Sequence, residues 1–136
     1  MGMQALASRL SSIRGVSITT HSWKYPGAIV DDIKRLPKGE TVVLIGYSLG
    51  ANATTWISNA VRRPIALAVA YDPSIYSIIQ PAGPNLRRLL LYHNNGGSKL
   101  GHARIPGKQV ETVEVSEGHL PIKFNQRLHA KTIQAI

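Results

Sequence analysis

Apolar positions recur along this chain with two periods. Met3, Leu6, Leu10 and Ile13 step by three and four, which predicts an amphipathic helix over residues 3–14 with Gly15 as its stop. Val16-Ser17-Ile18-Thr19-Thr20 alternates instead, as in a strand with one face less buried. Pro26 suits a first helical turn; Ile29, Ile33 and Leu36 form the stripe of that helix, and Pro37-Lys38-Gly39 ends it. Thr41–Ile45 is continuously β-branched and apolar, the composition of a buried parallel strand. Leu49, Ala53, Ile57 and Ala60/Val61 restore the helical period, with Asn52, Thr55 and Asn59 off that face and Pro64 as the stop. Ile65–Tyr71 is apolar throughout and predicts another buried strand, closed by Asp72-Pro73-Ser74. Arg88–His93 and Val110–Val115 predict two more, the last nearer an edge because it carries more charge. Phe124–Ile136 predicts a closing helix with Phe124, Leu128 and Ile133 inward, while 74–86 and 94–107 are loops rich in Pro, Gly and Asn.

Strands that alternate with helices predict an α/β fold: a mostly parallel sheet of about five strands with helices on both faces. The 136 residues hold no internal repeat, low-complexity tract or linker, so one domain over 1–136 is expected. At 43% hydrophobic residues the composition is that of a globular protein. No apolar run approaches the ~20 residues of a membrane span. No h-region follows the first residues, which are amphipathic, so a cytoplasmic location is expected.

The absence of cysteine excludes disulfides, thiol nucleophiles and thiolate metal sites. The net charge of +9 favours an acidic partner, an anionic substrate or a charged membrane surface. The 16 Lys and Arg residues are dispersed, with pairs at Lys34-Arg35, Arg62-Arg63 and Arg87-Arg88. They form no basic run and no nucleic-acid motif, so no specific nucleic-acid partner is expected.

The chemistry concentrates between the Thr41–Ile45 strand and the helix that follows. Gly46-Tyr47-Ser48-Leu49-Gly50 matches G-x-S-x-G, which in that context is a nucleophile elbow: a serine on a sharp strand-to-helix turn. Residues two before and two after the serine come close, so Gly46 and Gly50 are expected to avoid Cβ clashes. The Leu49 N–H begins the helix, where unpaired donors and the dipole favour an oxyanion. His21 and Trp23, at the end of the Val16–Thr20 strand, are candidate pocket-lining residues together with Tyr47. A Gly-rich structural turn is the plain alternative for the motif, and a core-filling Trp23 is the alternative for that loop.

TVVLI followed by GYSLGA resembles the α/β-hydrolase superfamily, in particular its lipase-, esterase- and thioesterase-like members. The resemblance implies a catalytic serine, acid and histidine in that chain order. After Ser48 the acids are Asp72, Glu111, Glu114 and Glu117. Glu111 and Glu114 lie within the last strand, and Glu117 is too close to His119 in sequence to hold its ring. Asp72, just past a buried strand at the elbow's end of the sheet, is the candidate acid, with an Asp-Pro turn as its alternative. Among the later histidines, His119 lies between the last strand and last helix, where the family carries its base. His102, in the long loop, is the reserve. His93 could line the cleft, and His129 reads as a surface residue of the last helix.

The resemblance begins inside the first helix. Family members have a strand and an oxyanion loop before it, so the chain looks like an N-terminally shortened member whose sheet is open beside the elbow strand. Three arrangements answer that opening: the 16–20 strand pairs directly with 41–45, another subunit covers the edge, or the residues are a fragment of a longer product. A homo-oligomer or a partner covering the missing strand is therefore expected. The function implied is a serine hydrolase that cleaves a small ester or thioester through Ser48, His119 and Asp72, with no cofactor or metal. The rival is a non-catalytic binding protein on the same scaffold.

Overall fold

The computed structural model describes residues 2–95 and 103–136. Four strands form one sheet: β1 (Val43–Tyr47), β2 (Leu67–Tyr71), β3 (Leu89–Asn94) and β4 (Val110–Val115). Their spatial order is their chain order, and every pairing is parallel. The helices are α1 (Gly2–Ser11), α2 (Pro26–Arg35), α3 (Leu49–Ala60) and α4 (Gln126–Ala135), with a 3-10 turn at Pro121–Phe124. No helix among the described residues is long and apolar enough to cross a membrane.

Strand alternation sorts the core into two layers. Leu44, Ala68, Ala70, Leu89 and Leu91 point to the face covered by α2 and α3. Leu67, Val69, Tyr71, Leu90 and Tyr92 point to the face covered by α1 and α4. The alanines of β2 leave room for α3 to sit close, through Ala51 and Ile57. On the other face, the Thr132 hydroxyl of α4 bonds to the hydroxyls of Tyr71 (2.7 Å) and Tyr92 (3.0 Å). Both ring oxygens are thereby satisfied in a buried place, which fixes α4 against the centre of the sheet. β2 and β3 are buried along their whole length, while β4 is half exposed, as its charge predicts.

The expected strand at 16–20 is absent. These residues form no ladder with any strand among the described residues, and Ile18 is 37% exposed. A ladder needs neighbours ~4.8 Å apart. Here a cavity of about 480 Å³ lies between Ser17–His21 and β1, walled by α1 residues such as Leu6 and by Ile29 and Ile57. Among the described residues the sheet therefore has four strands rather than about five, and direct pairing of 16–20 with the elbow strand does not occur. Ala66 N–H donates to Val42 O and Ser48 N–H to Tyr71 O, both at 3.0 Å, so even-numbered residues face β2. Val43, Ile45 and Tyr47 turn their backbone groups to the cavity, where among the described residues no backbone hydrogen bond meets them. Phe124, expected inward, is 53% exposed because it ends the 3-10 turn, and α4 starts only at Gln126.

Candidate active site

β1 ends at Tyr47 and α3 begins at Leu49, so Ser48 alone turns the chain. It does so at φ 56°, ψ −118°, a conformation that costs a non-glycine residue roughly 1–3 kcal/mol. The turn is held on both sides: its N–H bonds to Tyr71 O, and its carbonyl accepts from Ala51 N (2.9 Å) and Asn52 N (3.2 Å). A Cβ on Gly46 would overlap the Gly50 carbonyl and Ala51 N. A Cβ on Gly50 would meet nothing nearer than Trp23 Cβ, at 3.9 Å. The steric demand expected of both glycines thus falls on Gly46 alone.

Asp72 leaves β2 at φ 47°, with its N–H bonded to Tyr92 O at 2.8 Å. That left-handed turn aims a fully buried carboxylate along the sheet's C-terminal edge. Its Oδ2 is 2.6 Å from His119 Nδ1, and its Oδ1 accepts from Asn94 N at 3.4 Å. His119 is buried, and its Nε2 is 2.9 Å from Ser48 Oγ. With Nδ1–H donating to the carboxylate, Nε2 is left to accept the serine proton.

Tyr47 is a neighbour of the histidine as well as a cavity wall. Its hydroxyl donates to His119 O at 2.9 Å, and the two rings stack with centroids 5.1 Å apart. Lys123 Nζ stands 4.9 Å over the Tyr47 ring. Burial raises the Tyr47 hydroxyl above its ordinary pKa, and the Asp72 charge adds to this, so the hydroxyl stays a donor. The Leu49 N–H, first in α3, has no intrahelical acceptor and lies beside Ser48.

The other histidines are elsewhere. His21 and Trp23 do border the 480 Å³ cavity. Trp23 is 48% exposed, so it does not fill the core, and His21 Nε2 is 3.1 Å from Asp32. His93 is buried, and its Nδ1 meets Glu114 at 2.7 Å. His129 is buried rather than on the surface: its Nε2–H donates to Lys123 O at 2.6 Å and its ring meets Tyr71 edge-on. His102 lies outside the described residues. Among the described residues no three His, Asp or Glu side chains gather as metal ligands.

Two contributors are not visible in the sequence pattern. Asn52 reads there only as a residue off the helix's apolar face, but it is buried, accepting from Ser74 N (2.8 Å) and donating to Ser74 O (2.9 Å). It fastens the loop after Asp72 to the start of α3. The other is the Tyr47–His119 contact, 72 residues apart, for which local periodicity holds no signal. Leu120, next to His119 in the chain, and Ile75 and Tyr76, shortly after Asp72, are exposed apolar residues.

No protein-family model matches the chain, and no curated protein matches it. A solved structure does: a protein of Xanthomonas campestris pv. campestris, provisionally described as a hydrolase of the alpha/beta superfamily. The TM-score is 0.58 at 16% identity, over 99% of this chain and 88% of that one. The likeness is one of fold, and the fold of this chain is α/β-hydrolase-like.

Proposed function

We propose that the chain is a serine hydrolase that cleaves an ester or thioester through an acyl-enzyme. The observation that carries this reading is the hydrogen-bonded line from Asp72 through His119 to Ser48, 2.6 and 2.9 Å long. A serine hydroxyl needs a base to take its proton and a third group to orient that base. As Ser48 Oγ attacks the carbonyl carbon, its proton passes to His119 Nε2. The buried Asp72 carboxylate holds the ring tautomer and stabilises the imidazolium. The Leu49 N–H donates to the oxyanion of the tetrahedral intermediate. Collapse breaks the bond to the alkoxide or thiolate, which takes the proton back from Nε2. Water, deprotonated by the same nitrogen, then attacks the acyl-serine; the bond from the acyl carbon to Ser48 Oγ breaks, Oγ takes the proton back from Nε2, and the acid leaves. No step calls on a cofactor. The exposed apolar side chains of Ile75, Tyr76 and Leu120, close in sequence to Asp72 and His119, favour a substrate with an apolar acyl group. The assay is turnover of short p-nitrophenyl esters and acyl thioesters. Ser48→Ala and His119→Ala are each expected to reduce kcat/KM by about a thousandfold or more, and equal turnover by the variants would refute the roles.

The open edge of β1 favours a second reading, in which a strand of another subunit or partner enters the cavity and the chain is a binding scaffold. Unpaired backbone beside apolar walls is suited to an extended polypeptide. Light scattering of the purified protein separates the two: a monomer with turnover supports the first, and an inactive dimer or hetero-complex the second.

A further inference from the structure

The basic pairs Lys34-Arg35, Arg62-Arg63 and Arg87-Arg88 are far apart in sequence and take no part in the chemistry above. The fold gathers them. α2 ends at Arg35, α3 ends just before Arg62, and β3 begins just after Arg88, all at the N-terminal edge of the sheet. In each pair one member is anchored. Arg35 is 3.7 Å from Asp32, and Arg88 is 3.2 Å from Glu111. Arg63 donates to the carbonyls of Ile33, Leu36 and Pro37 at 2.8–3.0 Å. The other members, Lys34, Arg62 and Arg87, join Lys38 and Arg63 in lining a cleft of about 820 Å³.

Five cations there face one carboxylate, Glu40. Lys34, Lys38, Arg62 and Arg87 make no ion pair among the described residues. Helix dipoles account for cations in a helix's last turn. They do not account for Lys38 and Arg87, which lie in loops. Arg63 caps the carbonyls at the end of α2, so that helix end no longer repels an anion. Crowded like charges in a concave surface raise one another's energy and focus a positive field.

We propose that this cleft binds a compact polyanion bearing two or more phosphate groups. Its volume lies within the range of small-ligand sites, ~300–1,000 Å³. Arg62 and Arg87 offer guanidinium forks that match phosphate oxygens, Lys34 and Lys38 add point charges, and Arg63, held by backbone carbonyls, adds its charge to the field. A cleft whose cations come from 34–38, 62–63 and Arg87 within about 820 Å³ suits a compact ligand better than a nucleic-acid duplex, which spreads its charge along a rod. The site is at the opposite end of β1 from Ser48, about 16 Å away for five residues of strand. It is thus a second site, independent of the serine.

The test is calorimetric titration of the full chain with inorganic tripolyphosphate and, as comparator, orthophosphate, in 50 and 300 mM salt. Saturable binding of tripolyphosphate is expected, at least tenfold tighter than orthophosphate and weakened by salt. Arg62→Gln with Arg87→Gln should weaken it about tenfold or more while circular dichroism and the Ser48 reaction stay unchanged; both residues are exposed, so folding is not at stake. No binding to folded protein, or binding untouched by the double substitution, would overturn the proposal. So would a DNA duplex that binds at low salt and is not displaced by tripolyphosphate, since the surface would then be a nucleic-acid face.

Discussion

At the scale of single residues the candidate site depends on side chains set by backbone that most residues would avoid. Ser48 and Asp72 are the non-glycine residues with positive φ among those described, and each is tied by its N–H to the neighbouring strand. The ladder of the sheet thus offsets the strain of both turns. Ser48 and Asp72 were legible because both follow buried apolar runs, and His119 because it separates the last strand from the last helix. Tyr47 was legible only as a cavity wall. Its grip on the histidine depends on a contact between elements far apart in sequence. Tyr47→Phe removes the bond to His119 O, worth ~1 kcal/mol net, and frees the imidazole to shift. Turnover is expected to fall about tenfold with KM nearly unchanged. Steady-state kinetics on one ester would show this, and unchanged kcat would contradict a positioning role.

At the scale of elements, the crossing of β1 into α3 is the tightest passage in the fold. The G-x-S-x-G spacing identified it, but spacing treats its two glycines alike. The structure separates them, because Gly46 packs on the carbonyl of Gly50 while Gly50 faces the looser Trp23 side. Gly46→Ala must push β1 and α3 apart and is expected to cost about 3 kcal/mol or more. Gly50→Ala adds a better helix former with room for its methyl, and is expected to be neutral or to stabilise by up to ~1 kcal/mol. Thermal melts of the two variants check the pair, and equal losses would mean that the turn is not packed as described. The 16–20 segment misled for the converse reason: alternation describes a strand's faces and says nothing of whether a neighbour lies within bonding distance.

At the scale of the molecule, the α/β class, the parallel order and the buried central strands followed from the sequence, since β2 and β3 carry apolar residues on both faces. The strand count did not, because pairing is a property of two segments. Nor did the gathering of distant charges. On the exposed edge, His93 and Arg104 flank Glu114, at 2.7 and 2.8 Å. The His93 hydrogen bond, then that of Arg104, holds this carboxyl below its ordinary value of 4.5. A folded-state pKa below the unfolded one stabilises above the unfolded value and is lost as pH falls through the folded one. Glu114→Gln is therefore expected to lower the Tm at neutral pH, and the gap to wild type to close below pH 4.5. A gap independent of pH would show that the carboxylate charge contributes nothing.

The central claim is that Ser48 is an activated nucleophile, and intact-mass spectrometry after incubation with a fluorophosphonate tests it most directly. A single adduct is expected on the wild-type chain, none on Ser48→Ala, and much slower labelling of His119→Ala. Absence of an adduct on wild-type protein shown to be folded by circular dichroism would contradict the account, whatever the length of the hydrogen bonds that join Asp72, His119 and Ser48.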